Sequence, residues 1–249
     1  MLNYPIIFFV FSVIVLWLAA QLGAYLRRRR PLKDDLREDF GLVETATLTL
    51  LALIIGFSFS MATTRYDQRK NYEEAEANAI GTEYVRAGLL PANDGATVRA
   101  QLRMYTELRI AYYCTQDHDK LRQIDADTAK LQSEMWSAVQ TPAVAQPTPL
   151  MALAAAGMND VLNSQGYTQA AWWNRIPSSA WGLMIAIAIS CNLLVGYGAR
   201  SATGFMLFIL PLIISVSFLL IADIDTPRHG FIHVVPQNLV SLLQSLPLQ

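Results

Sequence analysis

Residues 5–26, PIIFFVFSVIVLWLAAQLGAYL, run for 22 positions without a charged side chain. A helix of about 20 apolar residues crosses the hydrocarbon core of a bilayer. A cleaved signal peptide begins with a basic region, and Met1 to Tyr4 carry no basic residue. The cluster Arg27, Arg28, Arg29 and Arg30 lies on the far side instead, so a retained transmembrane helix is expected. A second span is expected over 42–63, with Glu44 near one end. A third covers 180–198, entered through Trp172, Trp173 and Trp181 as interfacial aromatics. A fourth covers 203–222, interrupted by Pro211 and closed by Asp223. Pro211 removes a backbone donor and is expected to kink its helix.

Charge is unevenly spread. Charged residues make up 16% of the chain, against about 25% in an ordinary soluble domain. Residues 64–178 hold 24 of the 39 charged side chains. The chain therefore divides into 1–63, spans 1 and 2 with a basic loop; 64–178, an extramembrane domain; 179–223, spans 3 and 4; and 224–249, a short tail. A net charge of −1 leaves no electrostatic footprint for nucleic acid. Two cysteines, Cys114 and Cys191, cannot build a disulfide framework. The evident partner is the lipid bilayer, and the expected location is a bacterial inner membrane. Lysine and arginine near the membrane ends set orientation. Arg27–Arg30, Lys33, Arg37 and Arg200 give seven on one side, and Arg65, Arg69, Lys70, Arg175 and Arg228 give five on the other. That count places both termini and the middle domain outside the cytoplasm.

The middle domain reads as helical. No glycine or proline follows Arg65 until Gly81, so span 2 is expected to continue as one helix into solvent, ending near Gly88 or Pro91. A helix over 95–116 places Leu102, Tyr105, Arg109 and Tyr112 on one face. Another over 118–140 repeats Leu121, Ile124, Thr128, Leu131, Met135 and Ala138 at spacings of three and four. Thr141 to Pro149 holds three prolines and reads as a loop, and a shorter helix follows over 150–164. With no strand alternation, the fold class is all-α: four transmembrane helices in two pairs, with a helical domain between spans 2 and 3.

Span 2 is patterned. Thr45, Thr49, Ala52, Gly56, Ser60 and Thr63 recur at helical spacing, and all are small. Small residues permit close helix packing in lipid, and hydroxyls also suit a water-filled path. A neighbouring face carries Ala46, Leu50, Leu53 and Phe57, then Thr64. Repeated around an oligomer, such apolar rings gate by dewetting, whereas in a single chain they face lipid or core. Beyond the span, Glu73, Glu76 and Glu83 face Arg103 and Arg109 of the next helix, as ion pairs or as charges along a path. After span 4, Asp223, Asp225, His229 and His233 include metal-ligating types. Gly230 between the histidines argues against a helical pair, and with Pro227 the segment reads as a turn whose aspartates bond backbone amides. His118 lies between Asp117 and Asp119 at a solvated helix start. There is no P-loop, GxSxG, CxxC or HExxH, and no catalytic, cofactor or metal site is assigned.

The run Leu53 to Arg69, LIIGFSFSMATTRYDQR, resembles the second helix of bestrophin channels, with Gly56-Phe57 before a short polar stretch and then Arg65-Tyr66. The runs at 73–91, 102–110, 175–181 and 222–234 resemble the bestrophin-like domain family of bacterial and plant membrane proteins. That resemblance implies a pentamer with a central pore lined by span 2, Phe57 as a neck aromatic and Leu53 one turn earlier. Thr49 is polar where bestrophins are apolar. The 26-residue tail is shorter than theirs, and their middle domain is cytosolic, against the charge count here. The expected function is passive ion conduction by a homo-oligomer, with Thr49, Leu53, Gly56, Phe57, Ser60 and Thr64 lining the path. The alternatives are a membrane-anchored sensory or scaffolding module that needs a partner protein, and a membrane enzyme, which would need a bound metal.

Overall fold

The computed structural model describes residues 4–199 and 205–247. Every element among them is helical: α1 (Pro5–Arg29), α2 (Arg37–Arg86), α3 (Ala92–Cys114), α4 (His118–Ala145), α5 (Pro149–Trp173), α6 (Ser178–Gly198), α7 (Met206–Asp225) and α8 (Gln237–Ser245). Four helical stretches are long and apolar enough to cross a membrane: Pro5–Arg29, Arg37–Leu89, Pro149–Gly198 and Met206–Asp225. The third of these contains α5 and α6. Residue 200, counted in the charge vote, and residues 203 and 204, at the start of the expected fourth span, lie outside the described residues.

The chain forms two compact units, 1–65 with 175–233, and 66–174 with 234–249. The residues expected to form one tail, 224–249, are therefore shared between them. α2 is a single helix of 50 residues that passes the point of division without a break. At 1.5 Å per residue it is about 75 Å long. Its sequence has no proline, and Gly41, Gly56 and Gly81 are too few to stop a helix otherwise built of good formers.

In the first unit, α1 packs on α6 and α7. Phe8, Trp181 and Phe218 form an aromatic cluster, with Phe8 and Trp181 edge to face at 5.3 Å. Trp181 is thus a core residue (3% exposed) rather than an interfacial anchor. α1 and α6 approach through small residues. A side chain at Gly196 would meet the backbone of Ala20, and one at Gly23 the backbone of Leu193 and Tyr197. Arg27 closes the pair by donating to the carbonyls of Tyr197 (2.8 Å) and Gly198 (2.6 Å), capping the negative end of α6. Arg28, Arg29 and Arg30 stay exposed, with Arg29 over the ring of Tyr25.

The second unit is a helical bundle around Leu102, Tyr105, Met135, Val139, Met158 and Val161. α4 begins at Asp117, whose carboxylate accepts from the amides of Asp119 and Lys120. Those bonds hold the Asp117 carboxyl below its ordinary value. The loop expected over 141–149 is shorter. α4 runs to Ala145 through Pro142, which is buried beside Val139 and stands only one turn from the helix end. α5 extends to Trp173, past the expected stop at residue 164. Gly166 is tolerated because burial at Val161, Ser164, Thr168 and Ala171 continues the helical spacing beyond it. Trp172 packs on Tyr112 and Tyr113 in this core, and only Trp173 of the three tryptophans is exposed.

Candidate functional site

α2 carries two faces of opposite character. Along the span, Thr49, Leu53, Gly56, Phe57, Ser60 and Thr64 are all exposed, Phe57 at 64%. Only 6% of the most apolar stretch of this helix is buried, against 33%, 33% and 50% for the other three candidates. A side chain at Gly56 would meet nothing within 4 Å. The small-residue stripe therefore does not pack within the chain, and the close helix contact of the first unit lies between α1 and α6 instead. Three hydroxyls on these faces bond within the helix: Thr49 donates to Thr45, Thr63 to Phe59 and Thr64 to Ser60, each to the carbonyl one turn back. Hydroxyls bonded in this way do not need water, so the face can be dry. Ala52 and Gly56 of the stripe, with Leu51 and Phe59 of α2 and Ile213 and Ile221 of α7, line an apolar groove of about 420 Å³.

Past Arg65 the buried face of α2 turns polar. Arg69, Glu73, Glu76, Ile80 and Glu83, spaced by three and four, are each 0–1% exposed. Glu76 accepts from Arg109 Nε at 2.5 Å and from the Thr168 hydroxyl at 3.0 Å. The Arg109 guanidinium lies over the Tyr112 ring at 4.4 Å. Burial alone would lower the Arg109 pKa, but Glu76 beside it outweighs that and holds it above its ordinary value. Tyr105 and Tyr113 are pushed up, first by burial and then by the Glu76 charge. Glu73 accepts from Asn238 Nδ2 (2.6 Å) and from the amide of Leu239 (2.9 Å), so it caps the N-terminus of α8. Arg103 pairs with Glu107 at 3.7 Å and donates to the carbonyl of Leu246 beyond α8. Glu83 differs from its neighbours, since neither of its carboxylate oxygens accepts a hydrogen bond. Burial pushes its carboxyl up to about 8, against the opposing pull of Arg86.

The turn after α7 is a backbone lock. The two oxygens of Asp223 accept from the amides of Phe231 (2.7 Å) and Ile232 (2.8 Å). Gly230 lies against the Asp223 carbonyl, where a side chain would collide, and Pro227 is buried. Asp225 accepts from the Ile176 amide and pairs with Arg65 at 3.6 Å. His229 stacks on Tyr4, and His233 is exposed. Among the described residues no group of three or more His, Cys, Asp or Glu side chains is placed to hold a metal.

Sequence reasoning missed α8, the capping role of Glu73, and the α1–α6 approach at Gly23 and Gly196. The last had a signal, since Ala19, Gly23 and Gly196 are small residues in apolar helices.

A profile of the Bestrophin-like domain family matches residues 6–239. No curated protein matches the chain. Among solved structures, the crystal structure of a bacterial Bestrophin homolog from Klebsiella pneumoniae, phased on zinc, superposes with a TM-score of 0.64 at 15% identity, over 97% of this chain and 99% of that one. One single-residue variant of that homolog gives 0.64 at 15% identity, over 96% and 98%. Another gives 0.65 at 13%, over 94% and 98%. At such identities the likeness is one of fold.

Proposed function

Because the chain belongs to the Bestrophin-like domain family, we propose that it is an integral membrane protein whose copies assemble around α2 into a passive ion channel. The observation that carries this reading is the exposure of all six residues Thr49, Leu53, Gly56, Phe57, Ser60 and Thr64 on a helix whose apolar part is almost wholly unburied within one chain. Exposed small residues suit close contact between copies, and an axis lined by several copies uses both faces of the helix. Hydroxyls set the width of the path, and Leu53 with Phe57 form its apolar constriction. Five copies are expected, the number that the resemblance implies. The charge count favours a middle domain and termini outside the cytoplasm, and the exposed Cys114 of the middle domain reports on that side. A membrane-impermeant thiol reagent added to intact cells should label it; protection until lysis would reverse the orientation.

Purified protein in liposomes should pass small ions. Phe57→Ala removes the largest side chain of the constriction and should raise flux about tenfold, the effect of a barrier lowered by about 1.4 kcal/mol. Liposomes that stay tight with both proteins would overturn the proposal and favour a module acting through a partner protein.

A further inference from the structure

Glu83 lies on α2 against α5 and is shielded from solvent entirely, at 0% exposure. A carboxylate in that position is ordinarily paired or hydrogen-bonded, because burying a bare charge is costly. Glu83 accepts no hydrogen bond at either oxygen. Its Oε2 occupies the space that a side chain at position 157 would fill, so the contact exists only because residue 157 is glycine. The Arg86 guanidinium, from the next turn of α2, lies over the same glycine. Asp160, three residues further along α5, adds a second negative charge. Two charges of opposite sign therefore face the carboxyl, one from each of the two helices, and neither bonds to it.

We propose that Glu83 is a proton-binding site: protonated, it seats on Gly157 and holds α2 against α5, and ionised, it opens that contact. A neutral carboxyl fits the dry, unpartnered site, and a charged one does not. The titration falls near neutrality, since burial puts the group at about 8. This contact does not depend on conduction, because Glu83 and Gly157 meet within the second unit. Its sign is fixed by the raised pKa. The folded chain keeps a proton that the unfolded chain has lost, so the stabilisation is full below the ordinary carboxylate value of 4.5 and is lost as pH rises through about 8.

Infrared spectroscopy of the full-length protein tests the site directly. A protonated carboxyl stretch should be present at neutral pH, titrate away as pH rises, and be missing in Glu83→Gln. Arg86→Gln should move the midpoint of that titration to higher pH, and Asp160→Asn should move it to lower pH. A purely structural role for the three residues would give no such opposed shifts. Hydrogen exchange in α5 should rise with pH beyond its intrinsic dependence in the wild type. Where Glu83→Gln folds, it should remove that excess. Absence of the neutral-pH band, or midpoints that Arg86→Gln and Asp160→Asn leave unmoved, would overturn the proposal.

Discussion

Gly196→Leu is expected to lower the melting temperature and the yield of folded protein sharply. At this position α6 meets α1 backbone to backbone, and a Cβ would stand inside contact distance of the carbonyl of Ala20. Overpacking a core costs about 1–3 kcal/mol when side chains can yield. Here the obstacle is main chain, so the helices themselves must separate. That loses the neighbouring approach at Gly23 and the Arg27 bonds to Tyr197 and Gly198. The expected cost is at least about 3 kcal/mol, a large share of the roughly 5–15 kcal/mol that holds a typical protein together. Gly182→Ala, on the same helix with open space around it, is the control. It should be neutral or stabilising by up to about 1 kcal/mol, since alanine is the better helix former. Thermal melting and yield of the detergent-solubilised variants check both. Equal behaviour of the two would mean that α1 and α6 do not meet as described.

Glu76→Ala and Arg109→Ala should each destabilise the second unit by about 3–5 kcal/mol, because either one strands a buried charge. For a chain of this size that is a fall of roughly 10 °C in melting temperature. The penalty is large because both side chains are 0% exposed and Arg109 has no hydrogen-bond partner other than Glu76 among its three nitrogens. Glu76→Leu combined with Arg109→Met removes both charges and should cost much less than the sum of the two single changes. Additive losses would show that the pair is not coupled. By contrast, Arg122 and Asp119 are more than 80% exposed, and removing either should change stability by well under about 1 kcal/mol.

Much of the fold is legible in the sequence because lipid imposes a simple rule. A span must be long, apolar and internally hydrogen-bonded, and the uncharged run 5–26 satisfies it on inspection. The continuity of α2 is legible for an equally local reason, the lack of any breaker between Arg65 and Gly81. What is not legible depends on partners distant in the chain. Small residues announce that a close approach is possible and not which helix makes it. The same pattern therefore reads alike on α2, where Gly56 meets nothing, and on α6, where Gly196 meets Ala20. The charged residues after span 2 read as ion pairs within the domain or as charges along a path, and Glu76 does pair with Arg109, but nothing local shows that Glu73, Glu76 and Glu83 are buried. A clue was present: Arg109 interrupts the apolar face of Leu102, Tyr105 and Tyr112, and a cation in that position needs a buried anion. α8 has only nine residues and is capped by Glu73, which stands 166 positions from Leu239, so nothing near it in sequence marks it.

We propose that copies of this chain surround an axis lined by α2. The most direct measurement is an electron cryomicroscopy map of the purified protein in lipid nanodiscs. A closed ring is expected, with Leu53, Gly56 and Phe57 of every copy facing the axis and a continuous path between them. A monomer, or an assembly in which that face of α2 contacts lipid, would contradict it.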